Sequence, residues 1–197
     1  MSRLAISVEG ATEREFVQRV LKPHLAPLGK SVTAIDLRGN VSLDKVTGHL
    51  PALFGSFDVV STLYDFYGFK GRGNLSVDEL EAALLGRVPA HRAVRFIPYI
   101  QKYEFEALLF AAPTETVSWL QGGQDELMQL TDAVKICGSA EAVNGSVETS
   151  PSHRLVSIFP SYDKKLHGPE ILELAGLAMI RTQCPRFDQW LRRLESI

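Results

Sequence analysis

The chain has few cysteines and no long apolar run, and these two absences exclude several classes of protein. Its 197 residues include only two cysteines, Cys137 and Cys184, which lie too far apart in sequence for a zinc knuckle or a redox pair. Two thiols are also too few for a disulfide framework. No apolar span reaches membrane length, and the short run before Glu9 lacks the core of a signal peptide. We therefore expect a cytoplasmic protein with no membrane association.

A strong charge of either sign is also missing. The sequence has 21 lysines and arginines against 23 aspartates and glutamates, a formal net charge of -2. Such a chain has no global attraction to nucleic acid, so any binding would depend on a local basic patch or on bound metal ions. Its hydrophobic content of 45% and charged content of 22% are typical of a globular protein with one sizeable core.

Short runs rich in β-forming residues alternate with helical patterns in the first half of the chain. The predicted strands cover Leu4 to Val8, Val32 to Leu37, Phe57 to Tyr64 and Val94 to Tyr99. This alternation predicts an α/β fold with a mainly parallel sheet flanked by helices. After Pro113 only helical or short segments remain. We predict an α/β core over residues 1–112 and a helical C-terminal half over 113–197, packed on the core as a single compact unit, with a linker-like stretch from Asn144 to Ser152.

Acidic residues follow the predicted strands. Glu9 comes after the first strand, Asp65 after the third, and Glu104 and Glu106 after the fourth. Because the carboxyl ends of parallel strands line one crevice, these acids can meet in space. Carboxylate oxygens suit Mg²⁺ or Mn²⁺, which stabilise charge on a transferring phosphate and help to activate water. The pattern predicts phosphoryl-transfer chemistry with Glu9, Asp65 and Glu104 as catalytic acids. Asp65 can alternatively begin an Asx turn.

The acids of the first helix have a competing structural role. Thr12 and Glu15 have the spacing of a capping box, and Glu13 and Glu15 both fall in the first helical turn, where carboxylates complement the helix dipole. We interpret Glu15 as structural. For Glu13, the structural role and that of a metal ligand both remain open.

Glu104 and Glu106 lie within the apolar segment from Tyr103 to Phe110, which we interpret as a buried helix. A buried carboxylate needs a partner, either a cation or a metal. On a helix the two side chains would point to different sides. We therefore expect Glu104 to face the metal and Glu106 to pair with an arginine or lysine, and we keep both, with Glu9, Glu13 and Asp65, as candidate metal ligands.

Basic and polar residues cluster in three short stretches. The Gly-rich loop GFKGRGN, residues 68–74, contains Lys70 and Arg72, and its glycines would allow backbone N–H groups to approach a phosphate. SPSHRL and YDKKLHG contain the remaining candidates, Ser152, Arg154, Lys164 and Lys165. From spacing alone, a phosphate site and a solvated polar face are equally compatible with these residues.

The acidic pattern resembles the Toprim domain of topoisomerases and primases, which has a Glu after the first strand, an Asp-x-Asp after a later strand, and bound Mg²⁺. VEGATE matches the first element. YDFYG occupies the second, but Tyr67 stands where the second Asp is expected. This departure makes Glu104 or Glu106 the replacement ligand that the resemblance implies.

Nearly the whole chain resembles the bacterial family known as domain of unknown function 4276. The resemblance runs through VEGATEREFV, TLYDFYG, RFIPYIQKYEFEALLF, SPSHRL, YDKKLHGPEI and CPRFDQWLRRLE. It implies a Toprim-like fold, a partner ATPase of the ABC or structural-maintenance (SMC) type, and a role in defence against phage or foreign DNA. It also favours Lys164 as a catalytic cation and Lys70, Arg72, Ser152, Arg154 and Lys165 as phosphate-binding residues.

Similarity to the overcoming-lysogenization-defect nucleases, which join an ATPase to a Toprim nuclease, implies an Mg²⁺- or Mn²⁺-dependent nuclease acting on nucleic acid, DNA rather than RNA. Two alternatives use the same residues. The missing second Asp and the low net charge are compatible with a non-catalytic partner or regulator of an ATPase. A primase-like nucleotidyl transferase would use divalent metal ions bound by the same acids, although the sequence contains no separate nucleotide-binding module.

Overall fold

The computed structural model describes residues 1–144 and 149–197. The chain forms two compact units, of which the first comprises Met1–Gln101 together with Trp190–Ile197 and the second Lys102–Gln189. This division differs from the predicted boundary after residue 112, because the last residues return to the first unit. The single compact unit stays a prediction. The predicted linker from Asn144 to Ser152 includes residues 145–148, which lie outside the described residues, and its last two residues belong to the start of a helix.

The first unit contains a parallel sheet. Its strands are β1 (Ser2–Val8), β2 (Lys30–Asp36), β3 (Val59–Asp65), β4 (Phe96–Ile97) and β5 (Ile100–Gln101). The order is β2-β1-β3-β4, with β5 also paired to β3, and each of these pairings is parallel. The mainly parallel sheet predicted from the sequence is therefore confirmed.

The predicted strand from Val94 to Tyr99 is wrong in its extent, because only β4 (Phe96–Ile97) lies within it and β5 begins after it, at Ile100. Pro98 lies at the break and has no N–H to donate to a sheet. The Thr62 hydroxyl takes over at this point, donating to the Tyr99 carbonyl and accepting from the Tyr99 N–H, both at 2.8 Å. Strand β3 thus stays bonded to its neighbour across the proline.

Helices cover the sheet in the first unit. They are α1 (Ala11–Phe16), α2 (Lys22–Leu25), α3 (Leu43–Ser56), α4 (Val77–Gly86) and α5 (Ala90–Ala93), with a π-helical turn at Val17–Leu21 and a 3-10 turn at Ala26–Leu28. On one face, Ala5, Val60 and Tyr64 of the sheet share a buried core with residues of α3 and α4 such as Leu50 and Leu80. Burial of this apolar surface holds the layers together.

The first helix begins at Ala11, and the predicted capping box between Thr12 and Glu15 is wrong. Glu13 is the residue that turns back, with its Oε2 accepting the Gly10 N–H at 3.0 Å. Glu15 instead forms ion pairs with Arg14 at 3.4 Å and Arg19 at 3.9 Å. The cap contact lies two residues earlier than predicted because the helix begins at Ala11, directly after Gly10.

The second unit is helical throughout its described residues. It contains a 3-10 helix at Phe105–Ala111, followed by α6 (Pro113–Trp119), α7 (Gln124–Cys137), a 3-10 turn at Ala140–Ala142, α8 (Pro151–Ile158), α9 (Lys164–Ala175) and α10 (Leu177–Gln183). Helix α11 (Pro185–Glu195) begins in this unit and continues into the returning segment. The helical C-terminal half is therefore confirmed, and no described helix is long and apolar enough to cross a membrane. The buried helix predicted over residues 103–110 is observed as the 3-10 helix Phe105–Ala111, whose residues are all buried.

Trp190 attaches the returning segment to the sheet of the first unit. Its side chain is 2% exposed, and its ring stacks on Tyr99 with centroids 4.6 Å apart. The indole N–H donates to the Ser61 hydroxyl at 2.8 Å, and that hydroxyl donates to the Ile97 carbonyl at 2.6 Å. A buried indole usually finds such a partner. The segment is therefore part of the first unit's packing.

Asp58 ties the beginning of β3 to the beginning of β1. Its carboxylate accepts the Arg3 N–H and one guanidinium N–H, both at 2.8 Å. These contacts with Arg3 lower the pKa of Asp58 to about 2. Because the charged form is favoured in the folded chain, the contribution of Asp58 to stability depends on pH.

Replacing Asp58 with Asn is expected to lower stability near neutral pH and to reduce the acid sensitivity of the fold. The stabilising effect of the carboxylate is present above its ordinary pKa of 3.8 and is lost as the pH falls through about 2. Urea unfolding of the parent and Asp58→Asn across this range should give curves that converge in acid. Asp132→Asn is the control, because Asp132 is exposed and forms no ion pair in the described chain. A difference between parent and Asp58→Asn that is independent of pH would contradict the assignment.

Candidate functional site

The sheet brings two of the predicted acids to one edge. Strands β1 and β3 are adjacent and parallel, with Val8 opposite Leu63. Glu9 directly follows β1, and Asp65 is the last residue of β3. Both therefore lie at the carboxyl ends of neighbouring strands, where open α/β sheets bind their ligands.

The Glu9 carboxylate lies against the backbone of Gly68. A Cβ at Gly68 would come within 2.5 Å of Glu9 Oε2 and 2.6 Å of Oε1, so only glycine leaves room for the carboxylate in this position. Complete burial raises the pKa of the Tyr64 phenol well above its usual range, and the negative charge of Glu9 adds to this rise. The turn after β3 thus accommodates a charged side chain from the end of β1.

Asp65 is 6% exposed. Side chains alternate along β3, so Val60 and Tyr64 enter the core beneath α3 and α4, whereas Asp65 shares the opposite side with Ser61. Glu9 follows β1 and Asp65 ends β3, so both backbones lie at the carboxyl edge of the sheet. Their convergence on one metal ion stays a prediction.

Among residues 1–144 and 149–197, no three His, Cys, Asp or Glu side chains are grouped so as to hold a metal ion. Mg²⁺ does not require such a group, because it is usually held by one or two carboxylates and completes its shell with water and substrate phosphate. The oxygen donors of Glu9 and Asp65 fit this mode of binding. They do not form a cage made entirely of protein ligands.

Glu13, for which two roles were open, performs the structural one. It is 3% exposed, and its carboxylate holds the Gly10 N–H at the start of α1. This contact fixes the turn that follows Glu9. A metal-binding role for Glu13 stays a prediction.

The two acids of the second unit both have partners inside that unit. Glu104 Oε2 accepts the N–H of Ser152 at 2.9 Å, in the first turn of α8, where a carboxylate complements the helix dipole. Glu106 is fully buried, and its Oε2 lies 3.1 Å from the Lys164 ammonium. The expected pairing of Glu106 with a cation is observed. The structure therefore gives Glu104, Glu106 and Lys164 defined structural contacts.

The other cationic candidates of the second unit lie near helix starts. Arg154 Nε donates to the Thr149 carbonyl at 2.8 Å, and Arg154 and His153 line a cavity of about 410 Å³. Asp163 caps α9 by accepting the N–H of Lys165 at 2.9 Å, and the Lys165 side chain is exposed. Their role as phosphate ligands stays a prediction.

Lys70 and Arg72 lie in the loop after β3, close along the chain to Asp65. The Lys70 N–H donates to the Val41 carbonyl at 2.7 Å, which anchors the loop, while the Lys70 side chain is exposed. The Arg72 guanidinium lies 4.2 Å from the centre of the Phe66 ring. Both cations are thus supplied by the same edge of the sheet as Glu9.

Sequence analysis missed the segment from Leu37 to Ser42, which lies at this edge too. The Leu37 N–H donates to the Val8 carbonyl at 3.0 Å, and the Gly39 N–H donates to the Glu9 carbonyl at 2.7 Å. The available signal was the Gly39–Asn40 pair, which is typical of a turn. A turn alone does not indicate which strand end it will contact.

These features agree with the comparison to known proteins. The family model described as "Domain of unknown function (DUF4276)" matches residues 8–195. The chain belongs to this family. No curated protein matches it. Among solved structures, the C-terminal region of the Burkholderia pseudomallei OLD protein is similar, with 18% identity, a TM-score of 0.54, and coverage of 99% of both chains.

For this DUF4276 protein, the similarity to the OLD region concerns the fold. Both the family and the α/β class expected from the sequence, a mainly parallel sheet flanked by helices with a helical C-terminal half, are confirmed.

Gly68→Ala should displace the Glu9 carboxylate with little loss of stability, because the atoms in its way are the end of a flexible side chain. We expect the free energy of unfolding to fall by no more than about 1 kcal/mol. Any thermal stabilisation of the parent by Mg²⁺ or Mn²⁺ should be reduced in the variant. Gly86→Ala is the matched control, because a Cβ there meets no atom within 4 Å. An equal metal response in both variants would show that the position of Glu9 is irrelevant to metal binding.

Lys164→Met should destabilise the DUF4276 chain by about 3 kcal/mol, because it leaves the buried Glu106 carboxylate without this cation. Adding Glu106→Gln should recover much of the loss, since the double variant buries no charge at this position. Denaturant unfolding of the parent, both single variants and the double variant measures the coupling. Additive losses would mean that the two residues do not stabilise the fold as a pair.

Proposed function

We propose that this DUF4276 protein is a Toprim-type, metal-dependent nuclease that cleaves phosphodiester bonds. The observation that carries the proposal is the position of Glu9 and Asp65 at the carboxyl ends of adjacent parallel strands. The side chain of Asp65 is buried at the end of β3, and a divalent cation offsets the cost of burying a carboxylate. The fold shared with the OLD region supports the same class of protein.

In this proposal Glu9 and Asp65 hold Mg²⁺ or Mn²⁺. A divalent metal there supplies charge stabilisation for the transferring phosphate and activation of water. Gly68 keeps open the space that the Glu9 carboxylate needs, and the Gly10–Glu13 contact fixes the turn behind it. Lys70 and Arg72 orient the substrate through its phosphates, as cations commonly do in phosphoryl transfer.

The wider role is proposed from the family resemblance. The substrate is nucleic acid, DNA rather than RNA, and the protein acts with an ATPase of the ABC or SMC type in defence against phage or foreign DNA. The net charge of -2 gives the chain little general attraction for a polyanion. This agrees with a partner ATPase that helps the chain to bind nucleic acid. The resemblance also implies catalytic roles for Glu104 and Lys164, metal binding by Glu13, Glu104 and Glu106, and phosphate binding by Ser152, Arg154 and Lys165.

A second candidate function is that of a non-catalytic partner or regulator of such an ATPase. One observation favours it specifically. Glu104 caps α8 and Glu106 pairs with Lys164, so both carboxylates make structural contacts. The two functions differ in what Glu9 does, and this makes Glu9 the residue to test.

Glu9→Gln is expected to abolish metal-dependent cleavage while leaving the fold intact. Glutamine keeps the shape of the side chain but lacks the charge that holds a divalent cation. Cleavage of labelled single- and double-stranded DNA and RNA is measured with Mg²⁺ or Mn²⁺, alone and with a neighbouring ATPase. Thermal melting with and without metal is measured in parallel.

Glu15→Gln provides the matched control, because Glu15 lies close in sequence but forms surface ion pairs with Arg14 and Arg19. It should cleave like the parent. Cleavage by Glu9→Gln at the parental rate would refute the catalytic assignment. Lack of cleavage by the parent under every condition, together with a large loss of stability in Glu9→Gln, would favour the regulatory function.

A further inference from the structure

The segment between β2 and α3 contains a left-handed turn. Three consecutive residues have positive φ, namely Arg38 at 58°, Gly39 at 72° and Asn40 at 48°. Glycine adopts this conformation at no steric cost, whereas an arginine does so only when the surrounding structure holds it there. Backbone strain of this kind is concentrated at functional sites. The turn therefore calls for an explanation.

Several hydrogen bonds hold the turn in place. The Arg38 N–H donates to Asp36 Oδ1 at 2.6 Å and the Gly39 N–H to the Glu9 carbonyl at 2.7 Å. The Lys45 ammonium donates to the carbonyls of Leu37 and Gly39, at 2.7 and 2.6 Å. The conformation is thus fixed by its neighbours, including the backbone of Glu9.

The same segment crosses the carboxyl edge of the sheet. It leaves β2, bonds to the end of β1 through Val8 and Glu9, and then meets the loop after β3, where the Val41 carbonyl accepts the Lys70 N–H. Ser42 and Lys70 also form a parallel bridge. The turn therefore lies between the two loops that contain Glu9 and the basic residues after Asp65.

Anchoring and exposed residues alternate along this crossing. Leu37 and Val41 are buried, at 4% and 0% exposure, whereas Arg38 and Asn40 are exposed. Neither the Arg38 nor the Asn40 side chain forms a hydrogen bond or ion pair within residues 1–144 and 149–197. The fold holds an arginine in a strained conformation without using its side chain.

We propose that Arg38 and Asn40 bind the phosphodiester backbone of the nucleic acid beside Glu9. The substrate class rests on the proposed nuclease function. A guanidinium offers a planar fork of donors that matches phosphate oxygens, and an asparagine amide adds a neutral donor. In this proposal Arg38, Lys70 and Arg72 supply positive charge along the edge of the sheet. Their attraction for phosphates directs the nucleic-acid strand to Glu9 and Asp65.

The experiment measures binding of the full chain to labelled DNA and RNA by fluorescence anisotropy in EDTA, over a series of salt concentrations. Arg38→Ala should weaken binding about five- to tenfold and reduce the slope of log K against log salt by about one unit, as expected for loss of one phosphate contact. Arg38→Lys should keep the slope while losing part of the affinity, because the charge remains but the fork is lost. Lys22→Ala, which removes an exposed charge from α2, is the matched control and should bind like the parent.

Arg38→Gly distinguishes binding from a structural role. Glycine relieves the positive φ, so this variant should melt no lower than the parent and still bind as weakly as Arg38→Ala. Parental affinity in Arg38→Ala, a loss equal to that of Lys22→Ala, or absence of nucleic-acid binding by the parent would each overturn the proposal. Failure of this proposal can be distinguished from failure of the proposed function. The Glu9→Gln experiment measures cleavage with metal, whereas the Arg38 variants are tested for binding without metal.

Discussion

The parallel pairing of β1 with both β2 and β3 is the constraint on which the rest of this structure depends. Since β1 is in the middle, whatever follows it must turn at the carboxyl edge, and the turn is made by Glu9 and Gly10. The loops after β2 and β3 end at this edge as well. The segment from Leu37 to Ser42 donates a hydrogen bond to the Glu9 carbonyl, and Gly68 leaves room for the Glu9 side chain. One strand register thus fixes the surroundings of one carboxylate.

Carboxylates in this protein often serve as caps for helices. Glu13 holds the start of α1, Glu104 holds α8, and Asp163 holds α9. Glu141 accepts the N–H groups of Arg186 and Phe187 at the start of α11, although burial raises its pKa. An acid used in this way satisfies backbone donors that otherwise have no partner. The same residue type thus serves as a helix cap at several helix starts in this protein.

The contacts of individual carboxylates separate the two candidate functions. The Glu9 carboxylate lies at a strand end, against a glycine that accommodates it. Glu106 is engaged by Lys164, and that pair stabilises the second unit whether or not the chain is an enzyme. The nuclease proposal thus depends mainly on Glu9 and Asp65. The cations of the edge, Arg38 among them, determine how a polyanion could approach a chain with little net charge.

The sequence by itself determined the fold class. Apolar runs that alternate with helical patterns reflect strands buried on both faces, and this pattern can be read locally along the chain. It also identified Glu9 and Asp65 from their positions after strands. Only the tertiary structure decided that Glu13 rather than Glu15 turns back on the first helix, and that β4 ends at Ile97, directly before Pro98. The tertiary structure also decided which cation pairs with Glu106, and that the segment containing Arg38 and Asn40 crosses the carboxyl edge of the sheet. These depend on contacts between residues distant in sequence, and the chain's local periodicity contains no information about which strand end or cation such a residue will meet.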